Sequence, residues 1–79
     1  MTHELKCWID VFYDMYIGLK TFEVRLNDRN YQVGDSLLLK EWDSDTNTYT
    51  GRQILKRVTY ILYGGQFGLP ENTVVMAIR

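Results

Sequence analysis

The chain has 79 residues with a single cysteine, and 46% of the residues are apolar and 14% aromatic. This length allows one domain, over residues 1–79, and one cysteine with one histidine excludes both an internal disulfide and a structural zinc site. The net charge of −1 excludes a strongly basic, unspecific nucleic-acid binder, so any nucleic-acid role must come from a local cluster or a pocket for one unit.

The first two predicted elements are a short strand and an amphipathic helix. Polar and apolar residues alternate over residues 3–7, which predicts a strand with Leu5 and Cys7 on one face. Over residues 8–17 the apolar residues recur at helical spacing and predict a helix with one apolar stripe. That stripe consists of Trp8, Val11, Phe12, Met15 and Tyr16. Gly18 stands where a glycine that ends a helix is expected.

Four further strands are predicted, over residues 21–26, 36–42, 52–63 and 73–78. A polar hairpin loop over 43–51 and a glycine-rich loop over 64–72 separate the last three. The order strand, helix and four strands predicts a mainly β (α+β) fold with the helix between strands one and two. Five strands in so short a chain favour a closed or nearly closed small barrel, because closure removes exposed strand edges.

The segment from Gly18 to Arg25 contains the densest cluster of candidate functional residues. Glu23 and Arg25 occupy one face of the second strand about 7 Å apart, and Lys20 precedes them at the bend. A carboxylate flanked by two cations can orient them while leaving donors free for a phosphate or a base edge. From the spacing alone, a solvated strand face with a weak surface ion pair is the favoured interpretation.

These residues also carry a resemblance to a known family. Gly18, Lys20, Glu23 and Arg25 match, position by position, the motif Gly-x-Lys-x-x-Glu-x-Arg of the ASCH domain. Further stretches resemble a small, uncharacterised branch of that superfamily from bacteria and their phages. These stretches are residues 3–6, 21–25, 31–35, 57–62 and 64–68. The resemblance implies a PUA-like pseudo-barrel, a cleft lined by the motif, and a role in binding RNA or nucleotides.

Three further residues join the predicted site. On composition alone His3 is a terminal surface residue and Lys6 a solvated charge, but the resemblance implies that both approach the cleft from the first strand. Histidine is the residue type that most often acts as an acid or base near neutral pH, so His3 is then the one acid–base candidate. In the glycine-rich loop, Gln66 can read a base edge and Phe67 can stack on a base. A turn in which Phe67 plugs the end of the barrel is an equally good interpretation.

We therefore expect a binding module that holds an RNA segment or a modified nucleoside or nucleotide, with no catalytic residues. The predicted ligand-binding residues are His3, Lys6, Lys20, Glu23, Arg25 and Gln66. We expect no cofactor and no metal. No apolar run approaches the roughly 20 residues of a transmembrane helix, and no signal-peptide pattern opens the chain. This predicts a cytoplasmic protein with no membrane partner, a monomer by default.

Two other functions remain open at this point. Some ASCH proteins hydrolyse the acetyl group of N4-acetylcytidine with a lysine and a threonine three residues later. Lys20 matches that lysine, but Glu23 stands at the threonine position and offers no hydroxyl nucleophile. If the protein is such an amidohydrolase, Lys20 and Glu23 are its catalytic candidates. The second alternative is an accessory protein of a phage or mobile element that binds another protein.

Overall fold

The computed structural model describes residues 1–79 and contains five strands and one helix. The elements are β1 (Thr2–Trp8), α1 (Ile9–Tyr16), β2 (Phe22–Leu26), β3 (Ser36–Asp43), β4 (Thr48–Tyr63) and β5 (Thr73–Ile78). This confirms the mainly β fold with a helix between the first two strands. The largest difference from the predicted boundaries is at β4, which begins at Thr48, so residues 48–51 extend the strand and only residues 44–47 connect it to β3. The other boundaries differ from the predicted ones by one residue at most.

The strands form one mixed sheet in the order β1-β3-β4-β5-β2. Strand β1 runs parallel to β3, and the other three pairings are antiparallel. The sheet is not a closed barrel, because no backbone ladder joins the two edge strands β1 and β2. Of the two predicted forms, closed or nearly closed, full closure is therefore wrong. Two arginine side chains reach β1 instead: Arg25 of β2 donates to the carbonyl of Lys6, and Arg29 of the loop after β2 donates to that of Glu4, each at 2.6 Å.

The hydrophobic core lies on one face of the sheet and includes two residues of α1. Alternate residues of β1, β3 and β5 point into it. Its buried members are Leu5, Cys7, Phe12, Met15, Tyr31, Leu37, Leu39, Val58, Ile61, Val74, Met76 and Ile78. Phe12 and Met15 come from the predicted apolar stripe, whereas Trp8 and Tyr16 at its ends are more than half exposed. No helix of the structure has the length and apolar content that crossing a membrane requires.

Strand β2 buries part of its charged face and exposes its apolar face. Glu23 is only 4% exposed, whereas Phe22, Val24 and Leu26 are 47%, 52% and 66% exposed. This reverses the usual distribution, in which charged residues remain in water. A buried carboxylate requires compensating partners, because burying an unpaired charge is costly. The fold therefore places Glu23 at a site that specific cations must stabilise.

Candidate functional site

A cleft lies where the open edges of β1 and β2 face each other. It encloses about 420 Å³, a volume within the range of small-molecule sites. The lining residues are Lys6, Cys7, Trp8, Val11, Lys20, Phe22, Glu23, Val24 and Arg25. Four of the six predicted ligand-binding residues are among them. The structure thus brings Lys6, Lys20, Glu23 and Arg25 together in one cleft.

The centre of the cleft is an ion cluster around Glu23. Lys20 Nζ lies 3.2 Å from Glu23 Oε1, and Arg25 Nε lies 2.8 Å from Glu23 Oε2. Strand alternation places Glu23 and Arg25 on the same face, and the turn after Gly18 brings Lys20 back to them. Because Glu23 is buried, this is not the weak surface pair that spacing alone suggested. Removing either cation would leave the buried Glu23 carboxylate with less compensation, which is costly.

The two cations of the cluster have different tasks. Arg25 uses Nε for Glu23 and Nη2 for the carbonyl of Lys6, so its guanidinium ties β2 to β1. Lys20 makes one hydrogen bond, to Glu23, and its Nζ lies 5.1 Å from the ring centroid of Phe22. An ammonium has three donors. Lys20 therefore retains donors for a ligand, whereas Arg25 mainly holds the cleft in shape.

Backbone groups and aromatic rings complete the lining. Ile78 N–H donates to Thr21 O and Asn27 N–H to Asn72 O in the pairing of β2 with β5. Antiparallel alternation then points the N–H and C=O groups of the even-numbered residues Phe22 and Val24 away from β5, towards the open edge. The rings of Trp8 and Phe22 add flat apolar surface. The cleft offers donors, acceptors and stacking surfaces in one place.

Cys7 lines the cleft as a buried thiol. Burial, and next the Glu23 carboxylate, raise the pKa of the Cys7 thiol, and this outweighs the opposite influence of Lys20 and Arg25. A thiol with a raised pKa stays protonated near neutral pH and reacts slowly. The lining contains no hydroxyl side chain. No three His, Cys, Asp or Glu side chains converge in a way that could hold a metal ion.

His3 lies outside the cleft, in a buried network of its own. Its Nε2 is 2.8 Å from Asp35 Oδ2, and its ring packs edge-on against Tyr31 with a centroid distance of 4.7 Å. Asp35 also accepts hydrogen bonds from the N–H of Gln32 and the amino group of Met1. His3 is neither a surface residue nor part of the cleft. It anchors β1 to the segment that precedes β3.

This network predicts how stability depends on pH. The His3 hydrogen bond, and then the Gln32 N–H and the Met1 amino group, hold the pKa of Asp35 below its usual value of 3.8, against the opposing effect of desolvation. The ionised carboxylate therefore stabilises the fold fully above that value, and this stabilisation is lost as pH falls through the lower folded-state pKa. In the Asp35→Asn variant, the free energy of unfolding should depend less on pH in the acidic range than it does in the wild type. Urea unfolding at several pH values measures this. An unchanged slope would contradict this role.

Gln66 also lies outside the cleft. It belongs to the loop between β4 and β5 and donates to the carbonyl of Tyr63 at 2.9 Å. The hydrogen bond from Asn27 N–H to Asn72 O places this loop at the far end of β2, opposite the end that follows Lys20. Phe67 is largely exposed, so it does not plug the end of the sheet. The structure therefore does not bring this loop to the predicted site.

Comparison with known proteins gives the chain a family. Residues 2–78 match the family described as "Domain of unknown function (DUF3850)", and the chain belongs to that family. Over 57 residues, 72% of the chain, it is 40% identical to an uncharacterised 12.9 kDa protein in the GpA 3′ region of Escherichia phage P2. The chain spans 50% of the length of that phage protein. The resemblance to a small uncharacterised family with a phage member is confirmed, while the wider ASCH assignment stays a prediction.

Proposed function

We propose that the protein is a binding module of the ASCH/PUA-like type whose cleft holds one nucleoside or nucleotide unit, free or within RNA. One observation carries the proposal. A buried carboxylate, Glu23, is held at both oxygens by cations in a cleft of about 420 Å³ that also has aromatic walls. Such a combination of a few polar groups and flat apolar surface suits a heterocyclic base with a phosphate or sugar attached.

The chemistry of recognition follows from the positions of these groups. A base stacked on Trp8 or Phe22 gains about 1–3 kcal/mol. The free donors of Lys20 suit a base carbonyl or a phosphate, and Glu23 can accept a further hydrogen bond from an exocyclic amino group. The edge N–H and C=O groups of Phe22 and Val24 add the polar contacts that fix the orientation of a planar ligand.

Binding of one unit also agrees with the charge of the chain. With a net charge of −1 the protein lacks the broad basic surface of an unspecific nucleic-acid binder. A pocket requires only a local arrangement of cations, which Lys6, Lys20 and Arg25 supply. The acidic balance therefore favours a pocket for one unit over a long electrostatic groove.

The dependence of binding on salt tests this distinction. Affinity for a free nucleoside should stay nearly constant between roughly 50 and 200 mM salt, because no phosphate counterions are released. A single-stranded RNA bound along a groove would instead lose affinity with a slope of about −0.7 per contacted phosphate. Isothermal titration at several salt concentrations measures both. Binding only to RNA, with a steep slope and no nucleoside affinity, would contradict the pocket.

A further inference from the structure

The outer face of β1, β3 and β4 carries two adjacent rows of side chains. The registers of β1 with β3 and of β3 with β4 place Trp8, Trp42 and Tyr49 side by side across three strands. The neighbouring row contains Lys6 and Lys40, which are paired in the same way. Trp8 and Tyr49 are about half exposed, and Trp42 lies between them. The sheet thus presents an aromatic row beside a basic row.

Contacts between the two rows hold them in place. Lys6 Nζ lies 4.0 Å from the ring centroid of Trp42, and Lys40 Nζ lies 4.7 Å from that of Tyr49. The Trp42 and Tyr49 rings meet edge to face, with centroids 4.8 Å apart. The two ammonium groups lie over the rings. Proteins use such clusters of aromatic rings and cations to hold single-stranded nucleic acid, through base stacking and phosphate contacts.

The two lysines differ in how much of their charge is free to contact a ligand. Lys40 Nζ lies 3.3 Å from Glu4 Oε1, so part of its charge is compensated. Lys6 forms no ion pair with a carboxylate and keeps its full charge for an anionic ligand. This unpaired lysine stands at the border between the outer face and the cleft.

The outer face is continuous with the cleft, because Lys6 and Trp8 belong to both. Neighbouring strands are about 4.8 Å apart, so the aromatic row extends about 10 Å away from the cleft. We propose that this row binds the nucleotides next to the unit in the cleft, and that its occupant is single-stranded RNA crossing β1, β3 and β4. The inference rests on the proposed function and extends it from one nucleotide to a short strand.

Tyr49→Leu tests the row without touching the cleft. It removes a stacking surface but keeps apolar bulk, and we expect it to weaken binding of a fluorescein-labelled single-stranded RNA of mixed sequence roughly tenfold in anisotropy titrations. Affinity for the four ribonucleoside monophosphates should not change. Tyr60→Leu is the matched control, because Tyr60 is an exposed tyrosine of β4 outside both rows, and it should bind RNA as the wild type does.

Lys40→Gln provides a second variant, which removes one positive charge from the basic row. It should reduce the slope of log affinity against log salt for RNA by about 0.7, the value for one phosphate contact. Circular dichroism of each variant establishes that the fold is intact. Wild-type RNA affinity in folded Tyr49→Leu, or equal losses in Tyr49→Leu and Tyr60→Leu, would overturn the inference. RNA binding that depends on Tyr49 without any mononucleotide binding would overturn the proposed cleft function while leaving the aromatic row as the RNA site.

Discussion

Replacing Gly64 with alanine is expected to destabilise the protein more than alanine at any other glycine. A Cβ atom on Gly64 would overlap Pro70 O and would lie 2.8 Å from Thr73 O, and both are backbone atoms. The backbone cannot retreat without breaking the 2.7 Å hydrogen bond from Gly64 N–H to Thr73 O at the end of the β4–β5 hairpin. Overpacking costs about 1–3 kcal/mol and occasionally more. We expect a loss of at least 3 kcal/mol, roughly the top of that range.

Gly68→Ala is the matched control in the same loop. Gly68 has φ +75° and no atom within 4 Å of its Cβ direction, so alanine there meets only backbone strain. Such strain costs about 1–2 kcal/mol. Urea unfolding of the two variants measures the difference in free energy. If the Gly64→Ala variant is no less stable than the Gly68→Ala variant, this result would contradict the close packing of the loop against Gly64.

Glu23→Gln is expected to weaken ligand binding by about 1.5–3 kcal/mol, the contribution of a charge-assisted hydrogen bond. This corresponds to a loss of roughly 10- to 150-fold in affinity. The substitution keeps the shape of the side chain but removes the charge that positions Lys20 and Arg25. Isothermal titration with the best-bound nucleoside measures the loss, and thermal unfolding shows whether the fold survives.

Glu4→Gln is the control for a general loss of negative charge. Glu4 is an exposed carboxylate that contacts Lys40 outside the cleft, so its amide variant should bind the nucleoside as the wild type does. Equal losses in the two variants would show that net charge, rather than the Glu23 cluster, governs affinity.

The Glu23→Gln variant also separates binding from catalysis. We expect no meaningful hydrolysis of N4-acetylcytidine by the wild type, because the cleft lining has no hydroxyl and the Cys7 thiol has a raised pKa. A chromatographic assay of cytidine release measures this. Efficient turnover that Glu23→Gln abolishes, with binding retained, would contradict a pure binding module and favour the amidohydrolase.

Local patterns in the sequence were sufficient to predict much of the fold and the residues at the centre of the site. Alternation and helical spacing located all six elements, because these periods follow from backbone geometry. The i, i+2 spacing of Glu23 and Arg25 placed them on one strand face. The burial of that face was not predictable, because it depends on the pairing of β2 with β5 and on the gap beside β1.

Residues whose neighbours are distant in the sequence were placed less well. His3 pairs with Asp35, 32 positions away, and no local pattern reveals that partner. The loop that contains Gln66 lies at the other end of β2 from the cleft, and only the strand register shows this. Trp8 fitted the helical stripe, yet it ends β1 and lines the cleft. The one feature of the sequence that indicated this role is the position of Trp8 at the junction between a predicted strand and a predicted helix.

The most direct test of the central claim is a titration of the ¹⁵N-labelled protein followed by NMR chemical shifts. The ligands are the four nucleosides and their monophosphates, N4-acetylcytidine and a short single-stranded RNA. We expect saturable shifts at the amides of Lys20, Phe22, Glu23 and Val24 and at the indole of Trp8, and much weaker shifts in Glu23→Gln. Saturable shifts confined to residues outside the cleft, or no saturable shift with any of these ligands, would contradict the proposed site.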